Sequence, residues 1–362
     1  MESIVEDALK QDHGAVDGTF SDATDEELMR LVDSLKVRIS IIGCGGGGSN
    51  TIRRLHQGGV FGASLIAANT DARHLLLLNA PHKVLLGRRL TRGLGAGALP
   101  EIGNQAAEEA REDIRKYLEH DDIVFVTAGM GGGTGTGSIP VVAQIAKENR
   151  ALVMAVVTLP FKAEGTIRMQ NALRGLERLR SFADTTVVIP NDKLLEIVPR
   201  LPLDAAFRVA DEVLAQCIKG ITEIVTKPGL VNIDFADIKT IMGSGGVALI
   251  GIGESTGAKD ERVEDALRQA LTSPLLGDVD IKEAKGALIR VVGGSDMTLK
   301  EAQRVAEAAS AAMGPRARII WGCSVEPESD GKIKVLVVIT GVKSPFMLPQ
   351  DSLSDRGVDF IK

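Results

Sequence analysis

The sequence predicts an α/β protein in which a parallel sheet covered by helices is joined by a long central helix to a smaller α+β domain. Three observations predict this fold. Apolar, strand-like runs alternate with helical patterns from residue 37 to about residue 202. A helical pattern with a wide apolar stripe follows, and after it four more strand-like runs surround two helices. The 362 residues, 44% of them hydrophobic, are enough to bury two such domains.

Residues 1–36 precede the alternating pattern and form an N-terminal helical extension. The stretch "DATDEELMRLVDSLK" starts with capping residues and then places leucine and valine at helical spacing. This pattern predicts an added helix. Docking onto the body and pairing with a partner remain open as its role.

Residues 37–202 carry the parallel sheet. The predicted strands are "VRISIIGC", "SLIAANTD", "HKVLLG", "DIVFVTAG", "ALVMAVVTLP" and "TTVVIPN". The predicted helices include "SNTIRRLHQGG", one continuous helix over "EIGNQAAEEAREDIRKYLEH", a helix after "GGGTGTGS", and "TIRMQNALRGLERLRSF". Strands that are apolar almost throughout, alternating with helices, indicate a parallel sheet covered on both faces.

Residues 203–228 form the central helix, which begins at Leu203 and ends near Thr226. Its apolar positions are too many for one surface stripe, so we expect it to lie between two bodies. They are Phe207, Ala210, Val213, Leu214, Cys217, Ile218, Ile221, Ile224 and Val225. Proline and glycine directly after Lys227 end the helix.

Residues 229–342 form the second domain, and residues 343–362 a flexible tail. The domain contains the strands "GGVALIGIGE", "GALIRVVGG", "ARIIWGCSVE" and "KIKVLVVITGV", with helices over "DERVEDALRQALTSP" and "TLKEAQRVAEAASAAMG". The tail contains Pro345, Pro349 and several aspartates and serines, which favours flexibility.

Composition narrows the class of function. The net charge of −6 and an aromatic content of 3% argue against a nucleic-acid-binding protein. The three cysteines are far apart, so neither a disulfide framework nor a zinc site is predicted. We find no signal peptide and no membrane-length apolar run, and we therefore expect a cytoplasmic protein without a direct membrane span.

Two glycine-rich segments each link the end of a strand to the start of a helix. They are "GCGGGGSN", Gly43 to Asn50, and "GMGGGTGTGS", Gly129 to Ser138. In an open parallel sheet, ligands bind at such positions, where backbone amides and a helix N-terminus attract an anion. Neither segment carries the lysine of a Walker P-loop, so a divalent cation, Mg²⁺, is expected to supply the missing positive charge.

A nicotinamide-dependent oxidoreductase is the alternative reading of the first segment. Gly43, Gly45 and Gly48 fit the dinucleotide-binding pattern, and Asp71 follows at the distance of a ribose-binding acid. This alternative leaves the second glycine segment unexplained.

Seven motifs in order resemble the FtsZ group of the tubulin/FtsZ family, the prokaryotic tubulin-like cell-division GTPases. They are "GCGGGGSN", "NTDA", "TRGLGAG", "GGGTGTG", "TLPFKAEGTIR", "IPNDKL" and "NIDFAD". The resemblance covers about residues 37–342, and the added N-terminal helix and short tail resemble archaeal members. It implies a tubulin/FtsZ-like fold and a GTP/GDP site.

The resemblance also implies a role for each matching residue. The GTP phosphates are held by Gly45, Gly46, Gly47, Gly48, Asn50, Gly131, Gly132, Gly133, Thr134, Gly135 and Thr136. Asn69, Thr70, Asp71, Gly95, Ala96 and Gly97 close the phosphate side. Glu164 and Arg168 contact the ribose and phosphate region, whereas Asn191, Phe207 and Asp211 contact the guanine.

The "NIDFAD" segment has two compatible interpretations. On its own, Asn232 or Asp234 predicts a helix N-cap before "FADIKTIM". The resemblance implies that Asn232, Asp234 and Asp237 act on the γ-phosphate bound by the neighbouring subunit. Head-to-tail filaments in a mid-cell division ring, with GTP hydrolysis at each subunit interface, are then expected.

Two further expectations concern a departure from the family's motifs and the C-terminal tail. "GAGALP" carries Leu99 where many members have asparagine, which slightly favours a weakly hydrolysing tubulin-like scaffold. The tail ends with Val358, Phe360 and Ile361, which are expected either to dock a membrane-anchoring adaptor or to be a frayed terminus.

Overall fold

A computed structural model describes residues 37–197, 202–227, 234–243, 246–258, 261–277 and 279–342. The predicted N-terminal helix, the tail and Asn232 lie outside the described residues. The described strands form one ten-stranded sheet in the order β3-β2-β1-β4-β5-β6-β7-β10-β8-β9. This mostly parallel, helix-covered sheet confirms the predicted fold class.

Six parallel strands build the first half of the sheet. They are β1 (Ile39–Cys44), β2 (Ala63–Asn69), β3 (His82–Leu85), β4 (Ile123–Gly129), β5 (Leu152–Leu159) and β6 (Thr185–Pro190). Residues of β1 and β5 are buried throughout, because helices cover both faces of the sheet. All six strands point the same way, so their carboxyl ends meet along one edge.

Over residues 37–197, the structure describes seven helices in this half. They are α1 (Gly45–Gln57), α2 (Ala72–Leu77), α3 (Pro100–Glu109), α4 (Arg111–Leu118), α5 (Thr134–Glu148), α6 (Thr166–Arg180) and α7 (Asn191–Ile197). The prediction of one continuous helix from residue 101 to 120 is wrong. The backbone leaves the helical region at Ala110 (φ −94°, ψ 9°), where α3 ends and α4 begins. This break lets Ala110 and Ile114 both reach the core.

The central helix α8 (Leu203–Thr226) has the predicted extent. It packs between the first half of the sheet and the second, and Cys217, Ile218 and Ile221 are fully buried. At its C-terminal end, the Thr226 hydroxyl donates to the Phe61 carbonyl at 3.0 Å. Phe61 lies just before β2, so α8 ends at the edge of the sheet where the strands begin.

The second half continues the same sheet with a mixed arrangement. It contains β7 (Val247–Ser255), β8 (Gly286–Gly293), β9 (Arg318–Val325), β10 (Ile333–Thr340), α9 (Phe235–Met242), α10 (Arg262–Leu271) and α11 (Leu299–Ala312). A short parallel pairing of Thr186–Val187 with Val247–Ala248 joins the two halves. Strand β10 is antiparallel to both β7 and β8, which gives this half its α+β character.

Candidate functional site: a guanine-nucleotide site at one edge of the sheet

Every predicted nucleotide-binding segment of the first half follows the carboxyl end of a parallel strand. Residues 45–50 follow β1, 69–71 close β2, 95–97 lie in the loop after β3, 131–136 follow β4, 164–168 follow β5, and Asn191 follows β6. The edge where these ends meet is the ligand-binding edge of an open α/β sheet. The structure therefore brings the predicted segments together in one place.

Both glycine segments are largely helix N-termini rather than free loops. Helix α1 already begins at Gly45, which has a φ of +71°, and α5 begins at Thr134. A Cβ on Gly45 would lie 2.6 Å from the Gly135 amide nitrogen, and one on Gly48 would lie 2.4 Å from the Thr127 carbonyl oxygen. Glycine at position 45 lets the two helix N-termini touch backbone to backbone, which brings their positive ends together, and glycine at position 48 lets α1 lie directly against β4.

Other glycines face open space instead. No described heavy atom beyond the chain neighbours lies within 4 Å of a Cβ built on Gly46, Gly132, Gly95 or Gly97. Gly95 and Gly97 also have φ values of +88° and +58°, which a residue with a side chain rarely adopts. The edge thus presents bare backbone with open space beside it, as a polyphosphate cradle requires.

Hydroxyl and amide groups connect the segments. The Thr70 and Thr134 hydroxyl oxygens lie 2.6 Å apart, which links the β2 segment to the start of α5. The Gly131 N–H donates to the Thr136 hydroxyl at 2.8 Å, so Thr136 shapes the loop from within. The Gly95 N–H donates to the Thr70 carbonyl at 3.2 Å. Ala96 of the same loop is 6% exposed, and its Cβ would lie 3.0 Å from a Cβ built on Gly133.

Asp71 and Asn69 hold the turn between β2 and α2. Asp71 is the N-cap of α2 and accepts from the His74 backbone N–H at 3.0 Å. Asn69, 4% exposed, accepts from the Thr70 N–H at 2.9 Å through Oδ1. Neither α2 nor the contacts of the His74 ring were predicted, since the histidines looked scattered. The His74 ring contacts both Asn69 and Asn50, and no spacing in the sequence joins those residues.

Glu164 and Arg168 form an ion pair beside the same edge. Glu164 Oε1 also accepts from the Phe161 N–H at 2.9 Å, closing the turn that leads from β5 into α6. Arg168 is half exposed. Its guanidinium is therefore within reach of a ligand, while Glu164 is largely occupied by protein contacts.

A separate group of side chains lies where α8 passes the edge. Asn191 is 4% exposed, and its Oδ1 has no hydrogen-bond partner among the described residues. Phe207 is 39% exposed and meets the Phe161 ring edge-on, with centroids 5.1 Å apart. A planar, hydrogen-bonding base could satisfy the buried Asn191 amide and pack on the exposed Phe207 ring.

Asp211 completes this group. Burial raises the pKa of its carboxyl to about 6, against the opposing effect of Arg54 and Arg53. The Arg54 Nε lies 3.9 Å from the Asp211 Oδ2, and Arg54 Nη1 is 3.1 Å from Glu212. Arg54 was not predicted, because it lies in the middle of α1 and outside every motif.

Asp234 and Asp237 lie away from this edge. Asp234 is the N-cap of α9, as predicted, and accepts from the Ala236 N–H at 3.1 Å. Both carboxylates are exposed. The carbonyl of Met242, the last residue of α9, accepts from the Thr185 hydroxyl, and Thr185 is the first residue of β6. Helix α9 is therefore attached at the edge where the strands begin, opposite the glycine segments.

In the described part of the chain, no group of three or more His, Cys, Asp or Glu side chains could hold a metal ion. Among the helices that the structure describes, none is both long and apolar enough to cross a membrane.

Comparison with known proteins places this geometry in a family. Residues 38–199 match the tubulin/FtsZ family GTPase domain, and residues 246–343 match the FtsZ family C-terminal domain. The chain is 49% identical to cell division protein FtsZ 1 of Archaeoglobus fulgidus, and the match covers 100% of both chains. It is 53% identical to cell division protein FtsZ 1 of Methanocaldococcus jannaschii, over 88% of this chain and 87% of that one.

A solved structure agrees with these matches. The empty FtsZ dimer of M. jannaschii has a TM-score of 0.84 at 50% identity, covering 91% of this chain and 98% of that one. The GTPase family match spans both glycine segments, so it favours a guanine nucleotide over the dinucleotide alternative. The chain belongs to the FtsZ group of the tubulin/FtsZ family of GTPases.

Proposed function

We propose that this protein is a cell-division GTPase that assembles head to tail and hydrolyses GTP at the contact between neighbouring molecules. Its relatives are named cell division proteins, and one of them has been solved as a dimer. The family supplies the reaction, GTP to GDP and phosphate. The structure supports assigning particular residues to each part of it.

Phosphate binding is assigned to the glycine edge. The open faces of Gly46, Gly132, Gly95 and Gly97 leave room for phosphate oxygens to approach backbone amides. The paired N-termini of α1 and α5 supply partial positive charge. Mg²⁺ fits as a partner of the phosphates themselves, since it usually keeps several waters and takes one or two carboxylates rather than a protein cage.

Guanine selection is assigned to Asn191 and Asp211, with Phe207 packing on the base. An ionised Asp211 accepts from the N1–H and 2-amino groups of guanine, a pair of donors that adenine does not present on that edge. The buried Asn191 amide, whose Oδ1 lacks a partner among the described residues, gains one from the base. A nucleotide that leaves the Asp211 carboxylate or the Asn191 amide unpaired should bind less tightly.

The opposite placement of α9 is the observation that carries the proposal of a shared site. Asp234 and Asp237 lie on a helix attached where the strands begin, whereas the glycine edge lies where they end. Helix α8, which runs between the two edges, has 24 residues and is about 36 Å long at 1.5 Å per residue. One molecule does not bring its own aspartates to its own glycine segments, but the next molecule in a row does.

Catalysis then consists mainly of positioning the γ-phosphate and the attacking water. The glycine edge fixes the γ-phosphate, and the carboxylates of Asp234 and Asp237 from the next molecule orient and polarise the attacking water. A contact between two different surfaces repeats without closing, so it produces filaments.

The test of the shared site is the concentration dependence of turnover. GTP turnover per molecule should rise steeply with protein concentration and level off when filaments sediment. Mixing Asp234→Asn with Gly132→Ala, at a GTP concentration where each alone turns over slowly, should restore part of the activity, because one contributes an intact glycine edge and the other intact aspartates. Turnover that is constant per molecule at all concentrations, with no gain of activity in the mixture, would contradict the shared site.

A weakly hydrolysing scaffold is the second candidate. Leu99 occupies the N-cap position of α3 with no side-chain cap, and it is 56% exposed beside the phosphate side of the edge. A polar contact to the phosphates is thereby missing. Sedimentation measured in parallel with phosphate release separates the two candidates, and Leu99→Asn should raise turnover per sedimented molecule if the scaffold reading holds.

Cellular placement follows as part of the same proposal. We expect the protein in the cytoplasm at the mid-cell division site, where residues 354–362 of the tail dock a membrane-anchoring adaptor. Deleting those residues should abolish recruitment to the membrane and leave GTP-dependent sedimentation intact. No role for nucleic acid is expected.

A further inference from the structure

We infer that His74 is a positioning residue that fixes Asn69 and Asn50 relative to each other and so preorganises the phosphate side of the site. The inference rests on the proposed GTP site and adds a residue that none of the seven motifs contains. His74 lies on α2, Asn69 ends β2, and Asn50 lies on α1.

The contacts form a chain across three elements. The Asn69 Nδ2 lies 3.1 Å from the His74 Nδ1, and the His74 Nε2 lies 3.3 Å from the Asn50 Oδ1. At the other end of the chain, Asn69 Oδ1 accepts from the backbone N–H groups of Thr70 and Asp71. Asn50, on the first helix, is thus connected through one imidazole to the turn that follows β2.

The hydrogen-bond network determines which nitrogen of the His74 ring carries the proton. Because Asn69 Oδ1 accepts two backbone N–H groups, its Nδ2 faces His74 and donates to it. His74 Nδ1 therefore carries no proton, and the proton lies on Nε2, which donates to Asn50. In this neutral form each donor in the chain meets an acceptor.

The side chain of His74 has no role in capping its own helix. The cap of α2 is made by the His74 backbone N–H, which donates to Asp71 at 3.0 Å, and any residue other than proline supplies that group. His74 is also only half-buried, so the ring contributes little to the core. The contacts of the ring are directed at two predicted nucleotide-binding residues.

Because His74 already fixes Asn50 and Asn69, nucleotide binding loses less conformational entropy. Asn69 lies beside Thr70, whose hydroxyl reaches the start of α5, so movement of Asn69 would disturb both glycine segments. Without the ring, Asn50 and Asn69 gain rotational freedom that nucleotide binding must then remove. The effect falls on nucleotide affinity and KM rather than on the chemical step.

The test compares His74→Ala with His74→Gln in the full-length protein. A glutamine amide also carries one acceptor and one donor, so it can replace the imidazole between the two asparagines. We expect His74→Ala to weaken binding of a fluorescent GDP analogue about tenfold, as loss of hydrogen bonds of this kind does. KM for GTP should rise in parallel, with kcat at saturating GTP and protein within about twofold. His74→Gln should recover affinity to within about threefold of the unsubstituted protein.

Thermal unfolding without nucleotide serves as the control and should be nearly the same for all three proteins. Equal affinity of His74→Ala and the unsubstituted protein would overturn the inference, as would a His74→Gln variant that is as weak as His74→Ala. A loss confined to kcat would overturn it as well. Failure of the unsubstituted protein to bind the GDP analogue would instead refute the proposed GTP site, so the two failures are distinguishable.

Discussion

The Asp211 Oδ2 lies 3.9 Å from the Arg54 Nε, yet burial outweighs this attraction and raises the pKa of the Asp211 carboxyl to about 6. The carboxylate that is proposed to read guanine is therefore partly protonated in mildly acidic solution. Arg54 is held mainly by Glu212, whose Oε2 lies 3.1 Å from its Nη1.

Guanine-nucleotide affinity should accordingly fall as the pH falls below about 6. Only the ionised carboxylate accepts both guanine donors, so the association constant should drop by up to tenfold for each pH unit below the pKa. Titration of a fluorescent GDP analogue between pH 5 and pH 8 measures this. Asp211→Asn should bind weakly with no such inflection, and an unchanged inflection in that variant would assign the effect to another group.

The ionised Asp211 carboxylate should lower the free energy of unfolding of the nucleotide-free protein. Its folded pKa of about 6 exceeds the ordinary value of 3.8, so the folded state holds the proton more tightly than the unfolded state. The free energy of unfolding is thus lowered as the pH rises from about 4 to 6, and the full cost persists above that range. Asp211→Asn should raise the free energy of unfolding by about 1–3 kcal/mol at pH 7.5 and have little effect at pH 4. Urea denaturation at both pH values checks the sign.

Capping and catalysis can be separated at Asp234. Asparagine caps a helix as well as aspartate does, so Asp234→Asn should keep the bond to the Ala236 N–H and leave stability unchanged. Loss of the carboxylate should lower GTP turnover by about 10²-fold or more at a protein concentration that gives filaments. Asp234→Ala should lose turnover and also about 1 kcal/mol of stability. Normal turnover in the asparagine variant would refute the assigned role.

Glycines of the two segments should divide into structural and binding positions. A Cβ on Gly137 would lie 2.0 Å from the Pro100 carbonyl oxygen and 2.6 Å from the Asn104 nitrogen, so Gly137→Ala should destabilise the fold by several kcal/mol. Gly132→Ala meets open space and should unfold at the same temperature as the unsubstituted protein, but bind GDP at least tenfold more weakly. Thermal unfolding and nucleotide titration of the pair test this, and normal binding by Gly132→Ala would remove that residue from the site.

A buried ion pair joins α8 to the second half of the sheet. Arg290 Nη2 lies 2.5 Å from Oε2 of Glu223, whose side chain is fully buried. Arg290→Ala removes the partner of Oε2 and leaves Lys227, whose Nζ lies 2.9 Å from Glu223 Oε1, as the remaining close cation. It should lower the free energy of unfolding by about 1.5–3 kcal/mol, whereas Arg111→Ala, which breaks partly exposed pairs, should lower it by under about 1 kcal/mol. Denaturant unfolding measures both variants. If the two variants lower the free energy of unfolding by the same small amount, the ion pair between Glu223 and Arg290 does not fix α8 to the second half.

The fold was predictable because its strands are apolar along their whole length and its helices show clear periodicity. The break at Ala110 was not, since both halves of that stretch are good helix formers and the interruption depends on packing against the core. Helix α2 was missed because it is only six residues long and begins within the "NTDA" motif. In each case tertiary contacts decide what local sequence leaves open.

Site residues that belong to a sequence motif could be predicted. Residues whose role depends on a contact with a distant part of the chain could not. The glycine segments and the Asp234 cap follow from residue type and spacing. Arg54 and His74 act across elements that are distant in sequence, on Asp211 and on Asn69 with Asn50, so no local pattern could reveal them. Likewise, the bonds from Thr226 to Phe61 and from Thr185 to Met242 show that the two aspartates lie away from the glycine edge, and no local pattern predicts those bonds.

That separation has a consequence for any row of these molecules. Because the glycine edge and α9 lie at opposite edges of the sheet, a filament built by joining them is directional and its two ends are chemically unlike. In such a filament, the last molecule at one end would expose its glycine edge, and the last molecule at the other end would expose a pair of carboxylates. Only the molecule with the uncovered glycine edge could exchange its nucleotide without breaking a contact. Renewal of GTP, and with it the rate of growth and loss, would then be controlled from a single end.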